Sequence, residues 1–205
     1  MTVVELVWWS STDEFLADCD ALFKPTVDHV SAAPGCLKTY YGIEVEDRTN
    51  FWMVVVWQSH AHHQAMMDRP DYPAMVARIK PYLRNEQLYM RHVQFHNDAP
   101  LTAFDAPISA ILFLNPRKDM DSVQKDATVT EVLETQTKKI DSAVWGPAEE
   151  DVNETILVIG RKDVEVKGPA NNSEDGSSSY AEAISELGKL ANIQTAHIRL
   201  RLGRP

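Results

Sequence analysis

The run from Phe51 to Trp57 constrains the fold more than any other part of the sequence. It contains no charged residue, no glycine and no proline, and most of its side chains are β-branched or aromatic. This composition predicts a central strand that is buried on both faces. We therefore expect the rest of the chain to form a frame around this strand.

The elements predicted around this strand follow the order β-α-β-β-α-β, which is the split βαβ order of ferredoxin-like folds. The order then occurs a second time, at an offset of roughly one hundred residues. Tyr41-Gly42 and the acidic residues after it align with Trp145-Gly146 and the acidic residues after it. We therefore predict an α+β protein with a ferredoxin-like unit at residues 1–96, a linker at 97–107 and a second ferredoxin-like unit at 108–205.

The composition of the chain argues against several classes of binding partner. The chain of 205 residues has a formal net charge of -10, which argues against nucleic acid and against an anionic membrane surface. Cys19 and Cys36 are too few for a disulfide framework and lack metal-ligand spacing. The start of the sequence, MTVVELVWW, has no secretory pattern, and no stretch is apolar enough to span a membrane. These features predict a cytoplasmic protein without a membrane partner.

A histidine-rich segment follows the central strand. Ser59 is a good helix N-cap, so His60, His62 and His63 should occupy the first turn and a half of a short helix. A strand that ends in Trp57 and leads into such a helix predicts the mouth of a ligand cavity. The alternative interpretation is a core tryptophan beside solvated histidines.

The first unit resembles the dimeric α+β barrel superfamily, and within it the antibiotic-biosynthesis-monooxygenase-like and stress-responsive barrel domains. The resemblance rests on Ala33-Pro34-Gly35 before the second strand, Trp57-Gln58-Ser59 after the third, and Arg69-Pro70-Asp71-Tyr72 after the short helix. In the second unit the resemblance is limited to the order of the predicted strands and helices. In this superfamily two ferredoxin-like units pair their sheets into a closed barrel, usually as a homodimer. The resemblance therefore implies a fused pseudo-dimer, in which two tandem units of one chain form one eight-stranded barrel.

The resemblance also implies a cavity between sheet and helices that takes haem or aromatic, polyketide-like molecules. Family members commonly have a histidine at the position of Met66, and the related cyclases have one at the position of Tyr72. His62 and His63 stand about one helical turn before Met66, so either could replace the missing histidine.

The favoured function is a cofactor-independent enzyme that performs acid–base chemistry on a small aromatic or polyketide-like substrate, as a monooxygenase or a cyclase/isomerase. The candidate catalytic residues are His62, His63 and Tyr72, and the candidate substrate-binding residues are Trp57, Tyr40, Trp8 and Met66. Glu5, Lys38 and Glu44 become candidates if they are buried, because a buried charge needs a partner and is often functional. The alternative is a non-catalytic ligand-binding or scaffold barrel.

No metal site is predicted, because the histidine helix has no clear third ligand beyond Asp68 or Asp71. The sequence has no glycine-rich phosphate loop, no GxSxG elbow and no Rossmann signature, which argues against nucleotide enzymes. We expect no cofactor, with haem as the alternative, held by His29, His62, His63 or His92.

The two units differ in the residues that could carry chemistry. Six of the seven histidines precede the linker, and only His197 follows it. We therefore expect the site to lie in the first unit and the second unit to be degenerate. A polar, Gly/Ser-rich segment from Gly168 to Ser179 is predicted to be a surface excursion that tolerates deletion.

Overall fold

A computed structural model describes residues 1–96, 100–117, 122–140, 142–163 and 177–204. The first unit contains β1 (Val3–Ser10), α1 (Asp13–Ala17), α2 (Cys19–Ser31), β2 (Cys36–Glu44), β3 (Asn50–Trp57), α3 (His60–Met67), α4 (Tyr72–Ile79), a 3-10 turn (Lys80–Tyr82) and β4 (Tyr89–Val93). The segment between the units contains α5 (Pro100–Phe104). The second unit contains β5 (Ile108–Pro116), α6 (Ser122–Thr137), β6 (Ala143–Pro147), β7 (Thr155–Arg161), α7 (Ser177–Leu190) and β8 (Ala191–Arg204).

The strands form one antiparallel sheet of eight, in the order β4-β1-β3-β2-β8-β5-β7-β6. The two end strands approach each other through a bridge between Val93 and Ala148, so the sheet curls into a nearly closed barrel. Two backbone bonds extend this contact, from Glu149 N–H to the His92 carbonyl and from His96 N–H to the Trp145 carbonyl, both at 2.9 Å. The predicted fold class, an α+β barrel from two tandem ferredoxin-like units, is confirmed.

Two seams join the units, β2 with β8 and β4 with β6, and the same contacts occur at both. His92 on β4 is paired with Glu150, which accepts both its backbone N–H and a bond from Nδ1 at 2.6 Å. His197 on β8 is paired with Glu46 in the same way, through its backbone N–H and through Nδ1. Each carboxylate therefore joins its own unit to the strand of the other unit that carries the histidine.

A glycine stands at the corresponding place of each seam. A Cβ on Gly42 would lie 2.1 Å from the Arg199 carbonyl oxygen, and a Cβ on Gly146 would lie 2.3 Å from that of Gln94. Any larger residue would therefore push the neighbouring strand away. The aromatic–glycine pairs that align in the sequence occupy these two equivalent places.

The barrel has an apolar interior and two outer layers. Alternate residues of each strand face the interior, where Leu6, Val54 and Val158 are buried. The other face of the first unit packs under its helices through an aromatic cluster of Trp9, Phe15, Phe23 and Phe51. The second unit buries an aliphatic cluster under α6 and α7. β3 is buried on both faces, as its composition predicts.

The segment predicted as a linker is more than a connection, because its helix α5 closes one end of the barrel. Phe104 is 1% exposed and packs in the barrel interior, with its ring 5.9 Å from that of Tyr40. The Ser109 hydroxyl donates to the Ala103 carbonyl, and Asp105 accepts bonds from Lys38 and from the Tyr40 hydroxyl. Prolines at both ends of the segment obscured this helix in the sequence.

The predicted surface excursion lies outside the described residues up to position 176, and its last three residues begin α7. Among the described residues, no helix has both the length and the apolar character needed to cross a bilayer.

We predict that Phe104→Ala lowers the free energy of unfolding by about 3 kcal/mol, because it leaves a cavity in a buried core. Val152→Ala is the matched control, since it shortens an apolar side chain that is 89% exposed. Urea denaturation followed by circular dichroism measures both. Equal, small effects of the two substitutions would show that α5 does not plug the barrel.

Candidate functional site

A cavity of about 500 Å³ opens at the barrel end opposite α5. Its walls come from both units, with aromatic rings from Trp8, Trp52, Tyr89 and Phe113. Trp8 stacks between Trp52 and Tyr89, at centroid distances of 4.8 and 5.4 Å, so the three rings form one aromatic stack in which both faces of Trp8 are covered. The volume lies within the range of roughly 300–1000 Å³ that is common for small-molecule sites.

A buried carboxyl group lines this cavity. Glu44, at the end of β2, is 9% exposed, and its Oε2 accepts bonds from Trp52 Nε1 and Asn50 Nδ2, both at 3.1 Å. Among the described residues, Oε1 has no hydrogen bond and is left for a ligand. Burial raises the pKa of the Glu44 carboxyl, and the nearby Glu46 and Asp47 raise it further, against the lowering effect of the two bonds. Glu44 is therefore suited to exchange a proton inside the cavity.

An ion pair across the β4–β6 seam supplies positive charge to the same cavity. Arg91 Nε on β4 donates to Glu154 Oε2, and the guanidinium lies 6.0 Å from the centre of the Trp8 ring. Glu154 is 7% exposed and also accepts a bond from Asn115 at 3.4 Å. The cavity thus combines aromatic rings, the Glu44 carboxyl group and the Arg91 guanidinium, which is held in an ion pair.

A second polar cluster lies on the opposite face of the sheet, beneath α3. His63 Nδ1 is 3.0 Å from Nε2 of His92, and His92 Nδ1 is 2.6 Å from Oε1 of Glu150. On the other side of His63, Nε2 is 3.4 Å from Oε2 of Glu5. That oxygen accepts a bond from Trp57 Nε1 at 2.9 Å. The groups therefore form a chain from the partly exposed Glu150 to the buried Trp57.

Burial dominates the protonation of this cluster. His63 is fully buried, and the cost of desolvating its charged form lowers its pKa to about 4, with help from His92 and His60. Desolvation likewise raises the pKa of the Glu5 carboxyl, while the Trp57 bond lowers it. His63 is therefore neutral at neutral pH. Among the described residues, the ligand atoms of Glu5, His63 and His92 all lie within 4.8 Å of one another, so this trio could hold a metal ion.

The structure does not bring the residues predicted from the sequence into one cavity. Trp8 lines the barrel cavity, whereas Trp57 and Met66 are buried between the sheet and the helices. Tyr40 faces the barrel interior at the end closed by α5, where its hydroxyl donates to Asp105 at 2.8 Å. Tyr72 is half-buried against the first-unit aromatic cluster. The sheet–helix layer, where the resemblance implied a cavity, is filled by that cluster.

The two candidate histidines of α3 have different surroundings. His63 points inward to the polar cluster, whereas His62 is half-exposed, with Nδ1 2.8 Å from the Ser59 hydroxyl. Gly35, at φ 82, lies under the His62 ring, and a Cβ there would be 2.2 Å from His62 Cγ. The glycine of the Ala33-Pro34-Gly35 motif thus provides both a left-handed turn and space for this ring.

Several residues of the two sites were not singled out from the sequence. No sequence pattern marked Arg91, Glu150 or Glu154 as site residues, because each meets its partner only across the β4–β6 seam. Glu5 and Glu44 were conditional candidates, and both are buried. Lys38 is partly buried and is paired with Asp105 at 3.0 Å. For Glu5, a further signal is an acid on a strand face that is otherwise apolar, with Val3, Val7 and Trp9.

The cavity does not fit haem by its chemistry. None of its lining residues is a histidine or cysteine, and its phenol, from Tyr89, is bonded to Gln87 at 2.8 Å. The histidines considered as axial ligands, His29, His62, His63 and His92, do not line the cavity. No chemical step is therefore assigned to haem.

Comparison with protein families gives a match over the first unit. Residues 5–78 match the ABM family, described as antibiotic biosynthesis monooxygenase. A comparison with curated proteins gave no match.

Solved structures share the whole two-unit architecture at low identity. An anthrone oxidase-like protein is 10% identical, with a TM-score of 0.66 over 100% of this chain and 94% of that chain. A candidate monooxygenase from Fusobacterium nucleatum is 10% identical, with a TM-score of 0.64 over 98% of this chain and 93% of its own. A candidate monooxygenase from Lactobacillus acidophilus is 12% identical, with a TM-score of 0.61 over 98% and 95% of the two chains. These likenesses establish the dimeric α+β barrel fold.

We predict that the buried, neutral His63 makes the protein acid-sensitive. Its folded-state pKa, about 4, lies below the ordinary value of 6.5, so its contribution to stability is complete above pH 6.5 and is lost as the pH falls towards 4. The loss is at most roughly 3 kcal/mol, from about 1.4 kcal/mol per pKa unit, and the raised pKa of Glu5 partly offsets it.

Denaturant unfolding at several pH values, in EDTA, measures this effect. His63→Leu should flatten the stability profile between pH 6.5 and 4, while His62→Leu on the same helix should retain the wild-type profile. Parallel profiles for wild type and His63→Leu would contradict the assignment.

Proposed function

We propose that the protein is a cofactor-independent enzyme that acts on a small hydroxylated aromatic molecule inside the barrel cavity. The observation that carries this proposal is the position of Glu44, a buried carboxyl group of raised pKa beside a stacked aromatic wall. The ABM match and the name anthrone oxidase-like support oxygenation of an aromatic ring system as the reaction class.

The aromatic wall provides the binding surface. A flat ring can pack against the edges of the stacked rings and against Phe113, whose ring is 5.2 Å from that of Trp8 and tilted by 47°. Aromatic contacts of this kind contribute about 0.5–1.5 kcal/mol per ring pair beyond the burial of apolar area. The wall therefore favours planar substrates over flexible aliphatic ones.

Glu44 and Arg91 divide the acid–base work in this proposal. The Glu44 carboxylate takes a proton from the substrate hydroxyl or from an activated ring carbon, because burial raises its pKa towards that of such groups. The Arg91 guanidinium, held by Glu154, stabilises the negative charge that develops on the substrate oxygen. An electron-rich anion of this type is the species that can react with dioxygen without a cofactor.

The histidine helix takes no direct part in this reaction. His62 and His63 lie on α3, which covers the outer face of the sheet, and neither lines the cavity. The acid–base role first assigned to these histidines is therefore proposed for Glu44 instead.

We predict that Glu44→Gln reduces turnover of hydroxylated naphthalenes or anthrones at least a hundredfold, in line with the roughly 10²–10⁴-fold contribution of a general base. Binding should change little, because glutamine keeps the shape of the side chain. Trp8→Ala should weaken binding roughly tenfold, because it removes the central ring of the aromatic stack that the substrate contacts. Calorimetry measures binding, and oxygen consumption with mass spectrometry measures turnover.

His62→Ala is the control, because it removes an imidazole outside the cavity. Full turnover by Glu44→Gln, together with loss of turnover in His62→Ala or His63→Ala, would contradict the proposal. It would assign the acid–base chemistry to the histidines of α3. Tight binding without turnover by the wild type would instead identify a non-catalytic binding protein.

A further inference from the structure

We propose that Glu5, His63 and His92 form a binding site for a divalent transition-metal ion of the zinc type. The site lies beneath α3, on the face of the sheet opposite the barrel cavity, and is independent of the proposed reaction. All three residues are buried, at 4%, 0% and 7% exposure. Two imidazoles and one carboxylate are a donor set that binds zinc and other first-row divalent ions.

The hydrogen bonds around His92 determine where the protons of the cluster lie. Glu150 accepts the His92 backbone N–H at 2.9 Å, and its other oxygen is 2.6 Å from Nδ1, so Nδ1 carries a hydrogen and donates it. In the neutral imidazole, Nε2 of His92 then has a lone pair. This lone pair accepts the hydrogen on Nδ1 of His63, which is 3.0 Å away.

This arrangement leaves a lone pair on Nε2 of His63. The atom is buried and has no hydrogen-bond partner among the described residues. It faces Oε2 of Glu5 at 3.4 Å, and that oxygen already accepts the Trp57 indole N–H. A proton between these two atoms would make only a long hydrogen bond at this distance, whereas a metal ion can bind both of them.

The surroundings are arranged as those of metal ligands usually are. Trp57 holds the Glu5 carboxylate, and Glu150 holds Nδ1 of His92, which points Nε2 towards the centre of the cluster. Outer partners of this kind orient ligands and raise metal affinity. Binding through His92 Nε2 exchanges the His63–His92 hydrogen bond for metal bonds.

The second unit shows that the barrel seam does not need this trio. His197 pairs with Glu46 as His92 pairs with Glu150, so the clamp itself is complete in both units. The residue that pairs with His197 across β5 is Ala110, whereas Glu5 pairs with His92 across β1. Within the part of the chain that the structure describes, Nε2 of His197 contacts the Tyr180 hydroxyl at 3.4 Å and no carboxylate. The acid and the second imidazole therefore occur in the first unit for a purpose other than closure.

The site lies close to the protein surface. His60, on the first turn of α3, is exposed, and its ring lies 5.7 Å from that of His92 and 6.4 Å from that of His63. Glu149 is 3.7 Å from His60 Nε2. The surface pair of His60 and Glu149 therefore lies directly beside the buried trio.

The test is zinc titration of the full chain after EDTA treatment and exhaustive dialysis. Calorimetry and native mass spectrometry should show one zinc per chain, and zinc should raise the melting temperature. Glu5→Gln and His63→Gln should each weaken zinc binding at least a hundredfold and abolish the thermal shift, with folding checked by circular dichroism. Cobalt(II) in place of zinc should give a visible absorption band that is absent from both variants.

His197→Gln and His60→Ala are the matched controls. The first removes the histidine of the equivalent seam and should leave zinc binding unchanged. The second removes the exposed imidazole and should change affinity by less than the variants of the trio.

A wild-type chain that takes up no zinc overturns the proposal whatever the variants do. Zinc uptake that survives Glu5→Gln but is lost in His60→Ala also overturns it, because it would assign the metal to the surface of α3.

Discussion

The closure of the sheet along two seams is the constraint on which the other features of this molecule depend. Each seam joins a strand pair from different units, and each has a glycine where the backbones meet and a histidine clamped by a glutamate. Because the clamp bonds involve a charged carboxylate and a backbone N–H, they are directional as well as strong. They therefore help to fix the register of one unit on the other.

Closure separates the interior of the barrel from the two outer layers. The candidate functional side chains therefore lie in two separate places. Even-numbered residues of β1, such as Leu6 and Trp8, face the interior, whereas Glu5 faces the helices. The interior holds the aromatic cavity with Glu44, and the outer layer holds the cluster around His63. One strand thus contributes to both sites by alternation alone.

Fusion of the two units into one chain allows their sites to differ. In a homodimer, every substitution would occur on both sides of the barrel. Here α5 fills one end, while Glu44 of the first unit and Phe113 of the second share the cavity at the other. The polar cluster likewise has Glu5 in one unit and Ala110 at the matching place in the other.

The sequence predicts the strands, the two-unit order and the barrel well, because hydrophobic alternation and turn residues are local signals. The run from Phe51 to Trp57 is the best case, since a charge-free strand can only lie in a core. The sequence also made Glu5, Lys38 and Glu44 conditional candidates, because a charge that proves to be buried needs a partner and is often functional.

The partners of these groups could not be predicted, since they come from across a seam or from distant segments. Glu150 reaches His92 over a sequence separation of 58 residues, and Trp57 reaches Glu5 over 52. Proximity along the segment from Trp57 to Tyr72 suggested that His62 or His63 shares a cavity with Trp57 and Tyr72. The aromatic residues of α1 and α2 fill that space instead.

The most direct test of the account is a crystal structure of the protein with a bound hydroxylated naphthalene. We expect density for the ligand at the open end of the barrel, against the edges of the Trp8 stack, with its hydroxyl within hydrogen-bond distance of Glu44. Density between the sheet and α3, in contact with His63 and Trp57, would show instead that the small-molecule site is not the interior of the fused barrel.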